Sequence, residues 1–400
     1  MTDISERALV RAASDGDAAP RHTFGRGTTA MPLAAVPAGD WCALAQRTLE
    51  PNGYYLPDWE LAVNASARGR TGVAALYAYD DAPSPALIGL MPVISLWRTY
   101  KLPLPALVSG HPYGTLCTPL LDSEKSDAAA TRLLQAARSS GAHALVLRDV
   151  ALDGVTMGAI ATALGRDGLR LRVLHCYERA CLDATRDGDE VLQNALGAKK
   201  LKELRRQRHR LAEHGTVDFA VARSPTDVAA ALETFLSLEA SGWKGRRGTA
   251  LIQHDGDAAF IRRATAALAA TNQCEIVTLR AGDTAIAAGV VLRHQGRAFF
   301  FKLGVDERFA KYSPGVQLTL DLTRHLCADP AITSADSTAG PDHPMINPIW
   351  RGRFAIGDVL IPLYGRDPMV ELIDTALRAR RSALDLIRRG VHAARKLRKT

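Results

Sequence analysis

The sequence predicts an α/β protein of two lobes built to the same plan and joined by a basic helix. Three observations carry this. A chain of 400 residues, 47% hydrophobic and 23% charged, has a globular composition, and at this length one core gives way to domains of roughly 50–200 residues. The order of strand and helix signals in residues 31–195 recurs in residues 216–365. Between them lies KKLKELRRQRHRL, with seven Lys or Arg in twelve positions.

Each element has a local reason. DWCALAQRTL reads as a helix capped by Asp40, and PNGYYLPDWELAVNASA as a turn and a helix opened by Asp58. GVAALYAYD and ALIGLMPVISLW pair as strands across DDAPSP. LPALVSG and GTLCTPLL are short extended pieces. SDAAATRLLQAARSSG runs from a Ser126 cap to Gly141, ALVLRDV is a buried strand, DGVTMGAIATALGRDG a helix, and RLRVLHCYERACLDA a closing strand with patchy alternation. The second lobe has helices in DVAAALETFLSLEASGW and AAFIRRATAALAA. An antiparallel meander follows in CEIVTLRAGD, TAIAAGVVLRHQG and RAFFFKLGVD. The helix SPGVQLTLDLTRHLCA, strand ITSAD, irregular PMINPIWRG and final strand DVLIPLYG complete it.

Residues 1–30 lack periodicity and are expected to be disordered, and residues 366–400 to form a basic amphipathic helix. No stretch approaches the ~18 apolar residues of a membrane span, and the N-terminus has no apolar h-region. The expected location is therefore cytoplasmic. Six scattered cysteines without a CxxC pair are expected to be free thiols, with no disulfide and no metal.

The net charge of +8 is concentrated. Segment 197–214 holds +5 and segment 371–400 holds +6, so the body is slightly acidic. That weakens a general nucleic-acid reading, which needs a basic folded face. Within the run, Leu201, Leu204 and Leu211 make a narrow apolar stripe interrupted by Arg208. Residues 196–215 thus read as a connecting helix pinned along one edge.

The most informative stretch is FFFKLGVDERFAKYSPGVQLTLDLTRHL, residues 299–326. Ser313 suits an N-cap and Pro314 the first helical position, while Gly315 leaves room for something to come close. Free N–H groups at such a helix start favour an anion, with Arg308 and Lys311 upstream.

These residues carry a resemblance. Val305, Phe309, Ser313, Gly315 and Leu318 resemble the acyl-CoA pyrophosphate loop of GNAT acyltransferases. Four segments in order, PNGYYLPDWELA (51–62), LKELRRQRHRLAEHGTVDF (201–219), LEASGWKGRRGTAL (238–251) and YSPGVQLTL (312–320), are similar to the CelD-like branch, whose lobes resemble Fem-type transferases. The resemblance implies two tandem GNAT-like lobes, each a mixed, largely antiparallel sheet flanked by helices. It further implies N-acylation of an amine from acetyl-CoA or another acyl-CoA, without a metal.

The donor would lie between RAFFFKLGV and ITSAD, against Phe301, Lys302, Leu303 and the loop Lys311, Tyr312, Ser313, Pro314, Gly315 and Val316. Asp336, at the end of ITSAD, is the candidate general base, or else caps the following turn. His343 in GPDHP is the second candidate, as acid or base, or else an ordinary loop residue. The Gly-rich SGWKGRRGTAL offers Trp243, Lys244 and Arg246 as an acceptor or CoA wall. There is one departure. The Tyr-Lys pair common after the acidic residue and Gly is absent from ADSTAGPDHPMINPIWRGRF, and Arg351 or Arg353 stands in for the missing charge.

The first lobe has an acidic turn, LDSEKSD, where a phosphate loop would be, so it is expected to help form an acceptor groove. The tail pattern Ile373, Leu377, Leu384, Ile387, Val391 and Ala394 reads as a docked helix with a basic end, or as an in-plane helix on anionic lipid. The expected acceptor is an amine of a small molecule or of a cell-envelope or polysaccharide precursor, lipid-linked if the tail meets membrane. Aminoacyl-tRNA-dependent transfer, with tRNA on the basic helix, is the alternative enzyme. A catalytically silent accessory protein of polysaccharide biosynthesis is the third reading.

Overall fold

Apolar and β-branched runs become thirteen strands in the computed structural model. It describes residues 30–69, 72–110 and 113–397, and their side chains except those of 385 and 388–397. The disorder expected for 1–30 falls outside these apart from Ala30. The first seven strands are β1 (Met31–Pro32), β2 (Ala74–Tyr79), β3 (Leu87–Ser95), β4 (Ala106–Ser109), β5 (Leu120–Leu121), β6 (Ala144–Ala151) and β7 (Arg172–Asp183). Then come β8 (Val217–Ala222), β9 (Cys274–Ala281), β10 (Thr284–His294), β11 (Arg297–Val305), β12 (Ser334–Asp336) and β13 (Gly352–Pro362). The helices are α1 (Ala38–Gln46), α2 (Pro57–Ser66), α3 (Leu96–Tyr100), α4 (Ser126–Ser139), α5 (Val155–Arg166) and α6 (Gly188–Leu211). They continue with α7 (Pro225–Ser241), α8 (Trp243–Arg246), α9 (Asp255–Ala270), α10 (Pro314–Ala328) and α11 (Pro368–Leu397).

The strands form one mixed, largely antiparallel sheet flanked by helices, in the order β1-β2-β3-β4-β6-β13-β7-β12-β11-β10-β9-β8, with β5 beside β3. Read inward from either edge, the two halves match. Each has an antiparallel run, one parallel pair (β4–β6 or β11–β12), and an antiparallel inner strand. The inner strands are exchanged. β7 pairs with β12, while β13, the last strand of the chain, pairs with β6. β7 and β13 then pair with each other from Cys181–Gly352 to Arg172–Leu360.

The final strand, expected at the end of the second lobe, therefore lies in the other half of the sheet. Its Val359 and Ile361 pack with α4 and α5, while Ile356 and Leu360 face the opposite core. A strand apolar on both faces needs a central position covered on both sides. The patchy alternation of β7 has a related cause, since Tyr177 and Arg179 turn polar groups into the seam.

Local caps differ in detail from expectation. α1 starts after Pro37, which leaves Asp40 in the first turn to accept from the Tyr79 hydroxyl at 2.8 Å. α2 starts at Pro57, a residue before Asp58. The PNGYY turn is a wedge between the halves. Asn52 N–H donates to His294 Nδ1 at 2.9 Å, and Tyr54 meets Phe299 edge-on at 5.6 Å. Behind it, Trp59 packs edge-to-face on Phe260 (5.0 Å) and Phe301 (4.8 Å).

α6 begins earlier than the basic run and bends at Gly197, whose φ of 73° suits glycine. Leu201, Leu204 and Leu211 are buried. The helix lies on α10, where Gln317 donates to the Leu204 carbonyl at 2.9 Å and Arg208 meets Asp321 at 2.7 Å. α11 docks through Val370, Ile373 and Leu377, with Arg172 bonded to Glu371 and Asp374. Its later turns leave Leu384, Leu386 and Ile387 exposed. Among the described residues no helix is long and apolar enough to cross a membrane.

Candidate active site

β11 and β12 pair over only three positions, Arg297–Ser334, Ala298–Ala335 and Phe299–Asp336. Beyond them the strands part, and the Thr338 hydroxyl donates to the Phe300 carbonyl at 2.6 Å at the head of the gap. A cavity of about 560 Å³ follows. One wall is Phe301, Lys302 and Leu303; the other is Ser337 to Ala339, His343, Met345 and Ile346. Ser313 to Val316 form its base, with Trp243 and Lys244 also lining it.

The base is built by the start of α10. Ser313 is the N-cap but adopts φ 55°, ψ 54°, and its side chain makes no cap bond. Pro314 occupies the first turn, and Gln317 N–H already bonds the Ser313 carbonyl at 3.0 Å. The N–H groups of Gly315 and Val316 thus have no intrahelical acceptor and sit at the positive end of the dipole. A Cβ on Gly315 would come within 3.0 Å of Leu303 Cδ2 and 3.1 Å of Met345 Sδ, so a side chain there would crowd two residues that line the cavity.

A buried charge beside the cavity was not singled out from the sequence. Glu239, on α7, has a fully buried carboxylate. Its Oε1 accepts from Lys244 Nζ at 3.0 Å and Lys302 Nζ at 3.3 Å, and its Oε2 from Leu251 N–H at 2.9 Å. Lys244 also donates to the Leu303 carbonyl at 3.2 Å. Burial pushes the Glu239 carboxyl up, but Lys302, Lys244 and the Leu251 N–H outweigh it and hold it below the usual carboxylate range. Burial, aided by Lys302 and opposed by Glu239, lowers Lys244 below an ordinary lysine. The signal for Glu239 lay in the α7 pattern Val228, Leu232, Phe235, Glu239, where a carboxylate interrupts a buried apolar stripe.

Of the residues read as the donor site, Phe301, Lys302, Leu303, Ser313, Pro314, Gly315 and Val316 line the cavity, whereas Lys311 and Tyr312 do not. Tyr312 turns to α6 and meets His214 at 3.1 Å, with Lys311 over its ring at 4.8 Å. Arg308 is tied to Asp306 at 2.7 Å. Trp243 is half exposed beneath Arg247, at 5.0 Å, and its backbone N–H donates to Glu307 at 2.8 Å. Arg246 is not in the cavity lining but pairs at 2.8 Å with Glu307, which is, and Arg351 is exposed and outside it.

The two candidates for proton transfer separate. His343 lines the cavity, and burial lowers its pKa. Asp336 does not line it. Its Oδ2 lies 3.2 Å from Arg179 and its Oδ1 accepts from Thr338 N–H at 2.7 Å. Arg179, buried in the middle of β7, was also passed over in the sequence, where a lone Arg in a strand carries no local mark of its partner.

Residues 198–343, which contain every cavity-lining residue named above except Met345 and Ile346, match the family model described as an acetyltransferase (GNAT) domain. Among solved structures the chain resembles FemX, with a TM-score of 0.55 at 12% identity over 85% of this chain and 98% of that one. It also resembles the C-terminal DUF2156 domain of an Agrobacterium fabrum protein provisionally assigned as a lysylphosphatidylglycerol synthetase (TM-score 0.51, 13% identity, 85% and 96% covered). A conserved Bacteroides thetaiotaomicron protein of unknown function is similar at TM-score 0.51 and 10% identity, with 82% and 98% covered. At these identities the likeness is one of fold. No curated protein matches the chain.

Proposed function

We propose that the protein is an N-acyltransferase that carries an acyl group from acyl-CoA to an amine of a small-molecule or cell-envelope polysaccharide precursor. One observation carries this: the cavity opens where β11 and β12 part, directly above the N–H groups of Gly315 and Val316. In this reading residues 31–195 and 216–365 are tandem GNAT-like lobes, and the second holds the donor. The pyrophosphate sits on the α10 start, and the thioester runs along Phe301 to Leu303, where a backbone N–H of the strand faces the developing oxyanion. Asp336 is committed to Arg179, so proton transfer falls to groups that line the cavity, His343 among them.

Calorimetric titration with acetyl-CoA tests this. Micromolar binding by the wild type, lost in Gly315→Glu, supports it. No binding of any acyl-CoA, together with steeply salt-dependent binding of tRNA, would turn the reading to aminoacyl-tRNA-dependent transfer. Silence toward both leaves an accessory protein of polysaccharide synthesis.

Exposed Leu384, Leu386 and Ile387, followed by a strongly basic end, favour peripheral contact of α11 with anionic lipid. Co-sedimentation with phosphatidylglycerol vesicles should drop when residues 383–400 are removed, and equal pelleting would sink this part.

A further inference from the structure

We infer that Lys244, gripped by the buried carboxylate of Glu239 opposite Lys302, is the group that takes the proton from the acceptor amine. The inference deepens the acyltransferase reading and rests on it.

A single carboxylate oxygen holds both ammonium groups, at 3.0 and 3.3 Å, so the cluster carries one more positive charge than negative. Both lysine side chains are only 22% exposed and both line the cavity. Two cations against one anion in a half-buried space make release of one proton easier than from a surface lysine. Lys244 is the better placed to be that lysine, since it also touches the Leu303 carbonyl on the strand beside which the thioester would lie.

The other charges around it are accounted for. Glu307 is engaged by Arg246 and the Trp243 N–H, and Asp306 by Arg308. Arg247 lies over Trp243, and His343 stands on the other wall with Nδ1 near Ile346 N–H at 3.4 Å. Burial lowers Lys244, with Lys302 adding to the effect.

The chemistry balances. The neutral Lys244 amine takes one proton from the acceptor ammonium, and the freed nitrogen pair attacks the acyl carbon. A C–N bond forms as the carbonyl π pair moves onto oxygen. Return of that pair breaks the bond to the leaving sulfur, which receives the second nitrogen proton. Lys244 then releases its own proton to solvent. Glu239 is a positioning residue in this scheme, because its carboxylate is hydrogen-bonded to the two lysines and the Leu251 N–H among the described residues.

The test reads Lys244 without needing the acceptor. Full-length protein is reductively methylated with ¹³C-formaldehyde, and the Lys244 signal is assigned by its loss in Lys244→Arg. We expect it to titrate below the surface lysines, to move up in Lys302→Met and to move down in Glu239→Gln. Trinitrobenzenesulfonate at pH 7.5 should label Lys244 first, and acetyl-CoA should protect it. Titration together with the surface lysines, or labelling with no preference for Lys244, overturns the proposal even if acetyl-CoA binds. Failure of acetyl-CoA to bind removes the donor assignment and the protection, but leaves the titration readable.

Discussion

Arg179 Nη1 lies 3.2 Å from Asp336 Oδ2, and both side chains are 2% exposed. The pair joins β7 to the last residue of β12. Arg179 is held further by the Thr115 carbonyl at 2.8 Å and the Tyr177 hydroxyl at 2.6 Å. A guanidinium in that position pins the exchanged strand to the place where the cleft begins. It makes Asp336 part of the frame.

Asp336→Asn therefore strands a buried guanidinium and should cost about 3–5 kcal/mol of stability, measured by urea denaturation. Unchanged stability would mean that the pair does not hold the frame.

His294 gives a pH dependence. The ring is 3% exposed, accepts from Asn52 N–H at Nδ1, and lies 2.8 Å from the Ala45 carbonyl through Nε2. Burial lowers its pKa from the ordinary 6.5, so at mildly acid pH the unfolded chain binds the extra proton. Its contribution is complete above pH ~6.5 and is lost as pH falls toward the folded-state value. Denaturation at pH 7.5 and 5.5 should show a larger loss for wild type than for His294→Gln, with the wedge between the sheet halves loosening first.

The basic helix should behave as a packed connector. Leu204→Ala, which empties a site 2% exposed, is expected to cost about 2–5 kcal/mol. The double charge reversal Lys199→Glu with Lys202→Glu, both exposed, should stay within about 0.5 kcal/mol per site. Thermal melts separate the two, and a large loss in the second would mean that the charges hold the fold.

Much of the cleft was legible because its signals are local. A buried strand and a Ser-Pro-Gly helix start depend on backbone geometry over a dozen residues. Phe301 to Leu303 and Ser313 to Val316 line the cavity, whereas Lys311 and Tyr312 miss it because they end a short 3-10 helix, Glu307–Tyr312, whose successive side chains point to different faces. Glu239 was less legible, since a glutamate at a helix's buried stripe declares itself only when the stripe is already known.

The sequence by itself determined most of the elements, though not β8 or α8, together with the direction of the basic helix's apolar edge and the helix start that an anion would meet. Each of these follows from periodicity or from the conformational limits of Pro and Gly. Only the tertiary structure decided that β7 and β13 trade places, that Asp336 answers to Arg179 in a strand 157 residues away, and that Lys244 and Lys302 share one carboxylate. Strand neighbours are chosen by which position buries both faces, and a charge takes its role from what stands beside it in a low-dielectric interior; neither is a property of the local chain.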